Sequence, residues 1–209
     1  DNCSKSTTVT EIAICSNEEL TALDDLMAIL YEQALRSNDW LEYAEERDDT
    51  AVIVEQKASI SQKTACYKNT TCLKYYYSER IERLIRQAEI TYDNFSGNPE
   101  EGLLTFSKFL GSDVDIQSIA SDPERQTMVA LISESDPREI RRYASGTVFN
   151  SNPMKILIKS RSGILGTEGI QVIEDADGTV FGANVEVKRD TFSIIQPHTR
   201  FTETIKYSL

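Results

Sequence analysis

Histidine is almost missing from this sequence. His198 is the single one among 209 residues, and it sits in a Gln196-Pro197-His198-Thr199 turn. An imidazole base works with a serine or cysteine nucleophile, and no signature for either stands beside it. Phosphate-cradling loops are absent too. The nine glycines are scattered, and Gly163, Gly166 and Gly169 do not fall in the GxGxxG register. No stretch approaches the roughly 20 apolar residues that a membrane span requires. The chain does not open on a basic segment followed by an apolar one, so an exported protein here has its signal peptide removed or absent from the chain. Carboxylates are abundant, but abundance is what a net charge of −12 produces by chance. The expectation is a non-enzyme without cofactor or metal, with an unrecognised hydrolase as the remotest alternative.

Basic residues are scarce where acids are dense. Residues 11–50 contain two Arg and no Lys against twelve Asp and Glu, a net −10, while the other 169 residues sum to −2. Nucleic acid is therefore not an expected partner, because phosphate binding needs clustered Lys and Arg. An acidic surface favours a cationic partner and speeds encounter with it. Within this stretch Glu45, Glu46, Asp48 and Asp49 are the candidate partner-binding residues. A solvated helix face that only keeps the chain soluble is the plain alternative.

Four cysteines lie in the first 72 residues, at Cys3, Cys15, Cys66 and Cys72. An even count in two local pairs points to disulfides Cys3–Cys15 and Cys66–Cys72, although four cysteines allow three connectivities. Zinc is the competing use, but its knuckles have shorter spacers than the eleven and five residues found here. Disulfides place the protein in an oxidising compartment.

The hydrophobic spacing predicts three helices in the first half. Ser16 with Glu19 reads as a capping box, followed by an apolar stripe of Leu20, Leu23, Met27, Leu30 and Leu35. A second helix is expected over residues 40–66, interrupted near Asp48-Asp49-Thr50. A third runs from Cys72 to about Phe95, with Leu73, Tyr77, Ile81, Leu84, Ile85 and Ala88 on one face. Tyr75-Tyr76-Tyr77 reads as a mixture of core and groove-lining rings. The turn formers Ser96-Gly97-Asn98-Pro99 mark a domain boundary, giving domains 1–96 and 97–209. Beyond it, Glu100–Leu110 and Val114–Ala120 read as short helices, and Asp136-Pro137 opens another. Strands are expected at Lys155–Lys159, Ile170–Glu174, Thr179–Lys188 and Phe201–Tyr207, with Asp177-Gly178 as a hairpin turn. The fold class is α+β: a disulfide-stapled helical bundle, then a smaller module with short helices and an antiparallel sheet.

The first 85 or so residues resemble the N-terminal domain of the LprI-type lysozyme inhibitors, a family of small exported bacterial proteins. Cys3, Glu11, Ile14 and Cys15 match its opening C…E-x-x-I-C, and Leu20, Leu23, Asp24, Met27 and Tyr31 match L-x-x-L-D-x-x-L-x-x-x-Y. The family's Q-R-x-W-L-x-x-R-x-x-C run corresponds to Gln56, Lys57, Ser59, Ile60, Lys63 and Cys66. Cys72, Leu73, Tyr77, Arg80, Ile81 and Leu84 match C-L-x-x-x-Y-x-x-R-I-x-x-L. Ser59 stands where the family has tryptophan, and Lys57 and Lys63 replace arginines, which removes an aromatic body and two bidentate donors. Within the motif, Asp24 is expected to pair with Arg80, with Tyr31 and Tyr77 packing in the same seam.

The resemblance implies a periplasmic, non-catalytic protein that neutralises a cell-envelope-targeting enzyme, with a cationic peptidoglycan hydrolase as the first partner class. An immunity protein against a secreted toxin is a version of the same function, and the additional C-terminal half tilts towards it. A non-catalytic envelope scaffold or assembly factor is the alternative.

Overall fold

The structure is a computed structural model that describes Cys3 and residues 6–39, 49–92, 99–110, 114–122, 127–134, 154–159, 170–175, 184–188, 191–197 and 202–208. It is α+β, with the helices first and the sheets after. The chain divides into two compact units, Asp1–Glu89 and Ile90–Leu209. The second unit has more residues than the first. The turn cluster on which the sequence placed its boundary lies mostly outside the described residues.

The first unit contains α1 (Val9–Cys15), α2 (Glu18–Asp39), α3 (Asp49–Ala65) and α4 (Thr70–Gln87). Helix α1 was not anticipated, although Thr8 and Glu11 form a complete capping box at its start. Ser16 and Glu19 do not form the expected one. Ser16 instead closes α1, and the Asn17 side chain accepts the Leu20 amide at 3.1 Å to cap α2.

Helices α2 and α4 supply most of the core. Leu20, Leu23, Met27, Leu30 and Ala34 are buried on α2, and Leu73, Tyr77, Ile81, Leu84 and Ile85 on α4. Spacings of three and four recur on both helices and produce one apolar stripe each. Leu35 is only half-buried, because the stripe continues through Gln33 and Ala34. Helix α4 ends at Gln87, before the expected Phe95. Gln33 Nε2 and Ser37 Oγ both donate to the Ala88 carbonyl at 3.3 Å, and Glu89 turns into the left-handed region at φ 56°.

The second unit opens with β1 (Thr91–Tyr92), α5 (Pro99–Thr105) and a 3-10 turn at Ser107–Phe109. Gly102 lets α5 approach the sheet, since a Cβ there would meet Ile119 Cδ1 at 2.8 Å. Two sheets follow. The first has the order β1-β2-β3-β4-β5, with β2 Val114–Asp122, β3 Thr127–Glu134, β4 Met154–Lys159 and β5 Ile170–Asp175. Among the described strands, only β1 and β2 run parallel. The second sheet has the order β6-β7-β8, from Asn184–Lys188, Thr191–Pro197 and Thr202–Ser208. Ala120, Val129, Leu131, Ile156, Ile158, Val185, Phe192 and Ile194 form a core shared by both sheets.

Three expectations change here. Val114–Ala120 is a strand and not a helix. Gln117 is the extra residue of a β-bulge between the Ile116–Ile132 and Ser118–Leu131 pairs, so Ile116, Ile119 and Ala120 imitate helical spacing. Strands β3 and β7 went unrecognised. Asp177-Gly178 lies outside the described residues; among those described, β5 pairs with β4, and β6 with β7. Asp136-Pro137 also lies outside the described residues.

Candidate binding site: the α3–α4 groove and the acidic side of α2

Both disulfides form in the expected pairing. Cys3–Cys15 ties the chain start to the end of α1, and Cys66–Cys72 closes the turn between α3 and α4. In the chain-entropy picture, each loop this short contributes about 2–3 kcal/mol.

Helix α3 is attached differently from its neighbours. Its buried positions are Val52 and Ser59, with Cys66 just past its end, one thin line at seven-residue spacing. Most of the attachment is polar. Arg80, only 4% exposed, donates from Nε to Gln56 Oε1 at 3.0 Å and from Nη1 to Glu55 Oε2 at 3.0 Å. Its Nη2 reaches the Val52 carbonyl at 3.5 Å, so each of the three guanidinium nitrogens has a partner on α3. Gln87 Nε2 donates to the same Glu55 oxygen.

Asp24 does not pair with Arg80. It accepts from the Tyr77 hydroxyl at 2.7 Å and from Lys63 Nζ at 3.4 Å. The reason is positional: Arg80 is drawn to the acceptors of α3, whereas Tyr77 lies one turn earlier on the side facing α2. Burial, then the bond to the Asp24 carboxylate, pushes the Tyr77 phenol far above its ordinary value and keeps it protonated. Ser59, at the position of the family's tryptophan, shares a 3.2 Å hydrogen bond with the Tyr76 hydroxyl.

This thin attachment leaves a groove of about 480 Å³ between α3 and α4. Ala58, Ser59, Tyr76, Arg80 and the Cys66–Cys72 bridge form part of its lining; Gln62, Tyr75, Glu79 and Arg83 also border it. Tyr76 and Tyr77 are buried, and Tyr75 is 69% exposed, the division of core and groove rings expected from the sequence. The i, i+4 ladder of Tyr75, Glu79 and Arg83 was visible in the sequence, but nothing in the sequence indicates that α3 stands off beside it.

The acidic candidates are only partly placed. Glu45, Glu46 and Asp48 lie outside the described residues, and Asp49 opens α3. The described acidic feature is on α2, where Glu18, Asp25 and Glu32 recur every seven residues and are all exposed. Seven residues is nearly two helical turns, so the three carboxylates form one row. Glu19 pairs with Lys74 on α4. His198 lies outside the described residues. Among the described residues, no helix is long and apolar enough to cross a membrane.

No protein-family model matches the chain, and neither a curated protein nor a solved structure matches it.

Proposed function

We propose that this is an exported, periplasmic, non-catalytic binding protein that neutralises a cationic enzyme acting on the cell envelope. A peptidoglycan hydrolase is the first partner class, and a toxin secreted by a competing cell, met by an immunity protein, is the second. The observation that carries the reading is the row of Glu18, Asp25 and Glu32 along the exposed side of α2, in a region of the chain nearly devoid of Lys and Arg. Such a row steers a cationic surface into encounter and gives the complex a salt-dependent association rate. The two disulfides support an oxidising compartment, where a small stapled bundle survives without a large core. The residues shared with the lysozyme-inhibitor pattern serve the scaffold: Asp24, Tyr77 and Arg80 are all consumed in holding the helices together. Partner recognition then belongs to the surface, in keeping with the rule that sites are grafted onto folds.

Immobilising the full chain and capturing partners from envelope extract at low and at physiological salt tests this. Recovery of a wall hydrolase or secreted toxin, weakened by salt, supports the reading. Recovery only of structural envelope subunits, indifferent to salt, favours the scaffold.

A further inference from the structure

Among the described residues other than glycine, two hold a positive φ: Glu89 at 56° and Tyr67 at 55°. That region is crowded for any residue with a Cβ, and just past a helix it is commonly filled by glycine. Tyr67 follows the end of α3 and is 56% exposed. A large aromatic held in a strained conformation and left in water serves neither the core nor the backbone. Strain of this kind collects where a side chain has a task.

The turn that displays Tyr67 is rigid. The Cys66–Cys72 bridge closes it. The Tyr67 amide donates to the Thr64 carbonyl at 3.1 Å, and the Asn69 amide to the Cys66 carbonyl at 2.9 Å. Asn69 Oδ1 accepts the Cys72 amide at 3.0 Å and so caps α4. Residues 67–71 are nonetheless all exposed. A fixed backbone with free side chains loses little entropy on binding, and tyrosine is among the commonest anchors of protein interfaces.

Shape and charge select what the tip meets. An exposed turn between two helices is convex, so it fits a cleft better than a flat face. Residues 66–72 include Lys68 and no acid, in a chain of net charge −12. Lys68 makes no ion pair with any described residue, and its complement is a carboxylate. A flat ring with an adjacent cation matches a slot shaped for a sugar ring beside carboxylates. Enzymes that cut glycosidic bonds carry a pair of carboxylates in their cleft. The acidic row of α2 begins at the same end of the bundle: Glu19, next to Glu18, pairs with Lys74, just past Cys72. A cationic enzyme drawn to the row is thus brought to the tip.

We propose that the 66–72 tip plugs the substrate cleft of a glycan-cleaving wall hydrolase, with the Tyr67 ring in a sugar-ring slot and the Lys68 ammonium on a cleft carboxylate. This rests on the reading of the chain as an inhibitor of an envelope enzyme, and it adds where inhibition happens. The α2 row speeds encounter, and the tip blocks the site.

The test is steady-state inhibition of a cationic muramidase by the full chain. Binding is measured in parallel, with and without a chitin tetrasaccharide filling the cleft. Inhibition should be competitive, raising the apparent KM and leaving kcat unchanged, and the saccharide should weaken binding by about tenfold or more. Tyr67→Gly and Lys68→Gln should each weaken inhibition by about tenfold or more. Glycine adopts a positive φ without strain, so Tyr67→Gly should unfold at the same denaturant midpoint as the native chain or a higher one. That separates loss of contact from loss of fold. Inhibition untouched by both substitutions, or binding that ignores the saccharide, overturns the tip and leaves the acidic-row reading standing. No binding of the muramidase overturns the tip and its partner class together.

Discussion

Arg80 Nη1 lies 3.0 Å from Oε2 of Glu55, with the arginine side chain 4% exposed and the glutamate 40%. The pair is therefore asymmetric: one charge is buried, the other half in water. Removing the solvated partner strands the buried cation, whereas replacing the arginine by an apolar side chain of similar length removes the buried charge altogether. Glu55→Ala should cost about 2–4 kcal/mol, and Arg80→Met about 1 kcal/mol or less. Chemical denaturation of the two variants checks the order, and a larger loss for Arg80→Met contradicts it.

Tyr77 and Asp24 give a pH dependence at the alkaline end. The phenol is held above its ordinary 10.0 by burial and by the bond to Asp24. Its contribution is fully present below pH 10.0 and fades as pH rises past it, because the unfolded chain then releases a proton that the folded chain retains. Tyr77→Phe should cost about 1–2 kcal/mol at neutral pH and flatten the alkaline decline. Denaturation midpoints between neutral pH and pH 11 or so, for both proteins, measure it.

Glu11 behaves in the opposite sense. Backbone amides of Thr8 and then Thr7 bond its carboxylate and lower its pKa from the ordinary 4.5. The cap is intact above pH 4.5 and is lost as pH falls from there through the lowered value. Hydrogen exchange of the α1 amides should accelerate on acidification in the native chain, and much less so in Glu11→Gln, which starts with a weakened cap.

The two disulfides should act locally. Cys66→Ala with Cys72→Ala is expected to cost about 2–3 kcal/mol and to raise exchange along α3, leaving α2 and α4 protected, because α3 has only a thin buried line to hold it. Cys3→Ala with Cys15→Ala should loosen α1 instead. Exchange rising equally in every helix of the first unit for either pair would contradict this division.

Much of the first unit was legible because periodic apolar spacing survives in the helices that carry the core. Leu20 to Leu30 on α2 and Leu73 to Ile85 on α4 sit where their spacing puts them. The cysteine pairs were equally legible, since two short local loops leave little choice. Capping was not, because Ser16 and Asn17 are both good caps and only the geometry of the α1–α2 joint selects Asn17. In the second unit the bulge at Gln117 disguised a strand as a helix. Strand β3 was missed because the run from Val129 to Ile132 is buried on both faces and shows no alternation. The groove was illegible for a different reason. Its rim residues are spaced visibly on α4, but a cavity depends on how far α3 stands off, which follows from polar contacts that no periodicity reveals.

The central claim is that the acidic row on α2 brings a cationic envelope enzyme into an inhibitory complex. The direct measurement is the residual activity of the captured hydrolase against rising protein, with the native chain and with the triple variant Glu18→Lys, Asp25→Lys, Glu32→Lys. All three side chains are exposed, so the fold should survive the reversal. The account predicts stoichiometric loss of activity with the native chain, and association slowed by about tenfold or more with the variant. Full hydrolase activity at excess native protein, or inhibition that is unchanged by the reversal, would contradict it.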